Sequence, residues 1–142
     1  MSIHTTKHLM NRFKSTGIVK TSTQDNLYKL WVEVDIDLAK YYFSLLPKYY
    51  NANRQRYAPH ISVIRENKFV DFSRFNNLEI EFEYDPFLYI EEIYVWINVY
   101  SDFLGSLREL VGLSKSDWYT KPPDGNDGFH ITIGNFKHLV RK

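Results

Sequence analysis

The chain repeats one pattern in its two halves. Residues 30–38 align with residues 95–103 at a constant offset of 65, so that Trp31 meets Trp96 and Asp37 meets Asp102. Each segment alternates apolar and polar residues, as a strand does, and then reaches a residue that can cap a helix. A unit of this size has only half a core. Two copies are therefore expected to pack together about a pseudo-two-fold axis.

Each repeat ends in a strand that reads His, apolar, hydroxyl, apolar. Side chains alternate between the two faces of a strand, so His60 and Ser62 point to one face and the apolar residues to the other. His130 and Thr132 repeat this arrangement in the second half. We expect the apolar faces to meet the helices and the four polar side chains to line a cleft.

The fold class that follows is α+β. We predict two pseudo-symmetric β-α-β lobes, over residues 26–66 and 89–136, with antiparallel sheets facing a central cleft and helices outside. A chain of 142 residues fits one domain over 1–142. The pattern further predicts strands over 27–35, 78–84 and 93–100 and a turn over 21–26. It predicts three helices: a short one over 5–16 that stops at Gly17, one capped by Asp37 and ended by Pro47, and one capped by Ser101 or Asp102.

The amino-acid composition limits the kinds of ligand and cellular location that the protein is expected to have. The net charge is +1, so no global field attracts long nucleic acid, and any anion must be held by local groups. The aromatic fraction of 17% is high, which favours either a tyrosine-rich core or a surface on which flat ligands stack. The chain has no cysteine and no apolar run long enough to span a membrane. We expect a cytoplasmic protein, in the host cytoplasm if the source is a virus, whose oligomeric state the sequence does not fix.

Two imidazoles on either side of a phosphate suit acid–base chemistry. Histidine has an ordinary pKa near 6.5, so one ring can accept a proton while the other donates one. The hydroxyls of Ser62 and Thr132 can donate to the non-bridging phosphate oxygens as charge develops there. This chemistry needs no metal and no cofactor, and two histidines without an obvious carboxylate partner make a poor metal site.

The two motifs, 60–63 and 130–133, resemble those that define the 2H phosphoesterase superfamily. The resemblance extends over the β-α-β repeat, from about residue 26 to 136, with Ser62 where Thr is commoner. It implies His60, Ser62, His130 and Thr132 as catalytic residues. It also implies a substrate nucleotide that carries a 2′-hydroxyl or a 2′-linked phosphate.

Within that superfamily the chain is most similar to small phage proteins that disarm the CBASS defence. Those proteins cut the 3′,5′ bonds of cyclic oligonucleotide messengers, with the neighbouring 2′-hydroxyl as nucleophile. The alternatives are a 2′,3′-cyclic phosphodiesterase, a 2′,5′-oligoadenylate phosphodiesterase, and a sponge that binds a nucleotide without cutting it. The partner in each case is a cyclic or short oligonucleotide.

Aromatic and basic residues near the motifs are candidates for binding. Trp31 and Trp96 are placed by alternation on the cleft face, where stacking on a base and core packing are equally plausible roles. The resemblance adds Tyr28 as a stacking residue, although alternation places it with the core-facing residues of its strand. Four cations are commonly solvated surface charges but lie near the motifs: Arg54, Arg56, Arg65 and Lys137. The turn-rich segment 124–128 is expected to be a flexible loop beside His130.

Overall fold

The computed structural model describes residues 12–123 and 128–140, and within them the chain forms eight strands and two α-helices. The strands are β1 (Phe13–Gln24), β2 (Leu27–Val34), β3 (Asn53–Arg54), β4 (His60–Glu66), β5 (Glu79–Tyr84), β6 (Tyr89–Glu91), β7 (Tyr94–Tyr100) and β8 (Phe129–Asn135). The helices are α1 (Ile36–Ser44) and α2 (Asp102–Leu110), and 3-10 turns cover Lys48–Tyr50, Ser73–Phe75 and Lys137–Val140. In these two described ranges, neither helix is long and apolar enough to cross a membrane.

All eight strands belong to one antiparallel sheet. Their order is β3-β8-β4-β2-β1-β5-β7-β6, and β8 also pairs with β7, so six of the strands form a closed ring. The predicted α+β class with antiparallel strands is confirmed. The expectation of two separate sheets is corrected: β1 pairs with β2 on one side and β5 on the other, and this joins the halves into one sheet.

The first described strand replaces a predicted helix. The helix predicted over 5–16 lies partly outside the described residues, and its remainder from Phe13 to Thr16 is strand. The predicted turn over 21–26 is confined to Asp25 and Asn26, both with positive φ. The segment contains many β-branched residues, which favour strand, and its backbone hydrogen-bonds to a neighbour on each side. Gly17 is accordingly a strand residue and not a helix stop.

The other predicted strands and both later helices are present, with shifted ends. The N-cap of helix α1 lies two residues earlier than expected, because the Asp35 carboxylate accepts the Asp37 backbone N–H at 2.9 Å and is the cap. Asp37 instead lies in the first turn, where a carboxylate interacts favourably with the helix dipole. In the second half the cap is Ser101, whose hydroxyl accepts the Leu104 backbone N–H at 3.1 Å.

The internal repeat extends to strand register. The first half pairs Leu30 with Ile64, Trp31 with Ser62, and Glu33 with His60. The second half pairs the equivalent residues, Val95 with Gly134, Trp96 with Thr132, and Asn98 with His130. In each half one residue of the histidine strand, Val63 or Ile133, is left over as a β-bulge. The two halves therefore present their histidines in the same local backbone geometry.

The helices cover one face of the histidine strands. Helix α1 packs against β8 and α2 against β4. The apolar residues of both strands are buried in a core cluster that every long strand and both helices join. Ile61 and Ile131 have no exposed surface, whereas His60 and His130 are half-buried on the opposite face. The predicted division into an apolar and a polar face is confirmed for these strands.

Candidate active site

The two motif histidines lie on neighbouring strands. Strands β4 and β8 are antiparallel and pair at Ile61 and Ile131. Because the isoleucines point into the core, His60 and His130 both point away from it. In that register the histidines occupy diagonal positions, which are about 7–8 Å apart, with somewhat less between their Cβ atoms. The two imidazoles therefore occupy neighbouring positions on the same face of the sheet.

Each imidazole is oriented by a backbone carbonyl. His60 Nδ1 lies 2.9 Å from the Ala58 carbonyl oxygen, and His130 Nδ1 lies 3.1 Å from the Thr120 carbonyl oxygen. A carbonyl can only accept, so Nδ1 carries the hydrogen in both rings and donates it. The basic nitrogen of each neutral ring is therefore Nε2. Both neutral rings therefore have the same tautomer.

The histidines line two adjoining depressions of similar size. The His60 pocket has a volume of about 440 Å³ and includes Trp31. The His130 pocket has a volume of about 430 Å³ and includes Thr132. The side chain of Tyr119 lines both of them. The two depressions thus share one aromatic side chain, which sequence analysis did not single out.

The motif hydroxyls flank the histidines across the strand pair. Counting outward from the Ile61–Ile131 pair, Ser62 lies beside His130 and Thr132 beside His60. Thr132 is half-buried and lines the His130 pocket. Ser62 is also half-buried but lines neither pocket. The second hydroxyl is therefore better placed than the first to reach a ligand.

The identity of a ligand has to come from the pockets themselves. Comparisons with protein-family models, with curated proteins and with solved structures found no match. Among the side chains that the structure describes, no group of three or more His, Cys, Asp or Glu is placed to hold a metal ion. The groups that line the two pockets are imidazoles, a hydroxyl, cations, aromatic rings and one carboxylate, that of Glu33.

The aromatic residues predicted to stack on a base are placed unequally. Trp31 is half-buried and lines the His60 pocket. Trp96 is only 1% exposed, because the ring of Tyr89 stacks on it with centroids 5.9 Å apart, and its indole N–H is donated to Asn98 Oδ1 at 2.8 Å. Tyr28 packs edge-on against Phe69 and lies outside the His60 pocket. Trp31 and Trp96 thus each line a pocket with a motif histidine, although Trp96 exposes almost no surface there, and Tyr28 lines neither pocket.

Two exposed rings at the rim of the pockets were not predicted. Tyr57 is 68% exposed and lines the His60 pocket, and Trp118 is 80% exposed and lines the His130 pocket. Large aromatic side chains with this much exposed surface are well suited to stacking on a base. The sequence signal for both was their position in polar loops, where a ring has no core to join.

A buried arginine positions the loop that orients His130. Arg108 of α2 is 1% exposed, donates to the Val63 carbonyl oxygen at 2.6 Å, and forms an ion pair with Asp117 at 3.2 Å. Asp117 in turn accepts the backbone N–H of Thr120, whose carbonyl holds His130. The chain of contacts links the bulge of the first histidine strand to the imidazole of the second.

The remaining predicted cations are scattered. Arg65 lines the His60 pocket, while Arg54 lies over the Phe43 ring at 4.6 Å and lines a separate groove together with Arg56. Lys137 is exposed in the last 3-10 turn. The predicted flexible loop over 124–128 lies outside the described residues except for Gly128. Of the four, only Arg65 lies in a pocket with a motif histidine.

Proposed function

We propose that the protein is a phosphodiesterase that cleaves 3′,5′ bonds in cyclic or short oligonucleotides without a metal ion. The observation that carries the proposal is the pair of imidazoles on adjoining strands, each with its Nδ1 hydrogen donated to a backbone carbonyl. The repeated register and bulge support the two-lobed arrangement of a 2H phosphoesterase. Cyclic nucleotide messengers, the targets of the phage proteins that this chain resembles, are the first substrates to test.

The reaction follows from the placement of the rings. One imidazole Nε2 takes the proton of the ribose 2′-hydroxyl as its oxygen attacks phosphorus. The other imidazole, in its protonated form, gives a proton to the 5′-oxygen as the P–O5′ bond breaks. The products are a 2′,3′-cyclic phosphate and a free 5′-hydroxyl. The hydroxyl of Thr132 donates to a non-bridging oxygen while negative charge increases there.

The test is chromatography of a nucleotide panel after incubation with the protein and EDTA. We expect turnover of a 3′,5′-linked cyclic dinucleotide or short oligonucleotide. His60→Ala and His130→Ala should each lower the rate by about 10²–10⁴-fold, the usual contribution of a general acid or base. His138→Ala is the matched control, because His138 contacts Asn53 and lies outside both pockets.

Other outcomes identify the alternatives. Turnover of 2′,5′-linked oligoadenylate or of 2′,3′-cyclic ends alone would assign one of the other superfamily activities. Recovery of an intact nucleotide after denaturation, with capture unaffected in His60→Ala, would indicate a sponge. Cleavage that depends on an added divalent ion would contradict the mechanism.

A further inference from the structure

Two cations face each other in the His60 pocket. Lys29 of β2 and Arg65 of β4 occupy directly opposite positions, and both line the pocket. Like charges at opposite positions repel each other. Neither side chain forms an ion pair with any residue in 12–123 or 128–140, and the Arg65 guanidinium lies 6.0 Å from the centroid of the Tyr119 ring. An anion bound between them would relieve the repulsion.

The pocket has two chemically distinct ends. At one end His60 of β4 lies across the strand pair from Glu33 of β2, and at the other end Arg65 lies across from Lys29. Lys29 and Glu33 are four residues apart on β2, which corresponds to about 13 Å. Trp31 lies between them on the same face and lines the pocket. The Glu33 carboxylate is therefore remote from Lys29 along the strand and forms no ion pair with it.

We propose that Lys29 and Arg65 bind a second phosphate of the substrate. The ligand then runs from the phosphate cleaved at His60, along a nucleoside lying over Trp31, to a phosphate held by the cation pair. This inference rests on the proposed function and specifies its substrate class: a nucleotide with phosphate on both sides, as in a cyclic dinucleotide or inside an oligonucleotide. A lone 2′,3′-cyclic mononucleotide lacks the second phosphate and leaves the cation pair empty.

The second half of the chain provides an internal comparison. The positions equivalent to Lys29 and Arg65 are Tyr94 and Asn135, which also pair across their strands. Neither of those residues is charged, and the cation that lines the His130 pocket, Lys121, comes from the loop before β8. The first half thus has an opposed cation pair that the second half lacks at the equivalent positions. A ligand with phosphates at unequal positions would be bound in one direction.

The test measures binding and requires no cleavage. Deoxyadenosine and deoxyguanosine 3′,5′-bisphosphates lack the 2′-hydroxyl, so they are inert to the proposed reaction. We expect the bisphosphates to bind more tightly than the 3′- or 5′-monophosphates, by about tenfold or more, since hydrogen bonds between charged groups are the strong ones. Isothermal titration calorimetry of the unmodified protein gives all the dissociation constants.

Substitutions test whether Lys29 and Arg65 cause the tighter binding of the bisphosphates. Lys29→Gln with Arg65→Gln should reduce the bisphosphates to monophosphate affinity, and the control Lys48→Gln with Arg74→Gln, which removes two exposed charges elsewhere, should keep the gain. Circular dichroism confirms that each variant folds, and single substitutions replace the pair if the double variant does not. Equal affinities in the unmodified protein, or a gain that survives in Lys29→Gln with Arg65→Gln, would overturn the subsite. A cleavage assay that fails does not alter this result.

Discussion

The buried phenol of Tyr42 should make the folded state less stable at alkaline pH. Tyr42 of α1 is 4% exposed, and its ring lies edge-on to the ring of Tyr84 at 6.0 Å. Burial raises the pKa of Tyr42 well above its usual range, and the neighbouring Tyr84 adds to the effect. The unfolded chain therefore loses this proton first, at a pKa of about 10. The stability that the neutral phenol provides is complete below that pH and is lost progressively above it.

Thermal unfolding between pH 8 and pH 11 measures the effect. The melting temperature of the unmodified protein should fall more steeply above pH 10 than that of Tyr42→Phe, which has no proton to lose. Tyr49→Phe, at a position that is 83% exposed, is the control and should follow the unmodified protein. Parallel curves for Tyr42→Phe and the unmodified protein would show that the phenol is not responsible.

Single residues show what the sequence could identify in the site. His60 and His130 were identified because the same motif occurs in both copies of the repeat. Side chains alternate along a strand, so the motif also predicts the side of the sheet on which each histidine lies. The exposure of Trp96 was not predictable, because it depends on Tyr89, a residue on another strand that covers one face of the indole. Tyr119 was missed because it belongs to an irregular loop, for which periodicity gives no side-chain direction.

The close approach of β3 and α1 to β8 depends on a glycine in β8. A Cβ atom at Gly134 would lie 2.6 Å from the Asn53 carbonyl oxygen of β3 and 3.2 Å from the ring of Phe43. Since the nearest atom is backbone, Gly134→Ala must push β3 or α1 away from β8. We expect a loss of about 1–3 kcal/mol in the free energy of unfolding, the usual cost of overpacking.

A glycine in α2 provides the matched control for denaturant titration. A Cβ atom at Gly105 would meet the Lys115 side chain at 3.7 Å, an ordinary contact. Alanine within a helix is preferred over glycine, so Gly105→Ala should stabilise the protein by about 0.5–1 kcal/mol. Opposite signs for the two Gly→Ala substitutions are the expected result. Equal effects would mean that the contact with Asn53 does not constrain the strand.

Helices and strands could be predicted where the hydrophobic pattern and the caps lie within the element's own sequence. The strands β2, β5 and β7 and both helices follow from alternation and caps within a few residues of each other. The bulges at Val63 and Ile133 could not be predicted, because a bulge exists only relative to the register of the partner strand. The same limit explains β1: the spacing of Leu9, Met10 and Phe13 favoured a helix, and the hydrogen bonds that decide for a strand come from β2 and β5.

At the scale of the whole molecule, several contacts join the two halves. Strand β1 pairs with β2 and with β5, and strand β8 of the second half pairs with β3 and β4 of the first. A further connection is Arg108, which belongs to the second half and donates to the carbonyl of Val63 in the first. The sequence predicted two similar units, but how they join depends on contacts between residues far apart in the chain. The repeat alone could not supply that information.

Arg108 should therefore affect both stability and the site. Arg108→Met fills a similar volume but removes the donor to the carbonyl oxygens of Val63 and Ser114 and to Asp117 Oδ2. Each buried acceptor left without a hydrogen bond costs about 1–3 kcal/mol, so we expect a clear loss of stability. Because Asp117 also orders the turn whose Thr120 carbonyl orients His130, we expect a lower turnover number at temperatures where the variant is folded.

Arg74→Met, an exposed arginine in a 3-10 turn, is the control and should change unfolding by less than about 0.5 kcal/mol. Denaturant titration gives the stability, and kinetics below the unfolding transition give the turnover number and KM separately. A positioning role predicts that the turnover number falls while KM changes little, because the phosphate contacts remain and only the imidazole is misaligned. A variant that loses stability alone, with unchanged kinetics, would limit Arg108 to holding the two halves together.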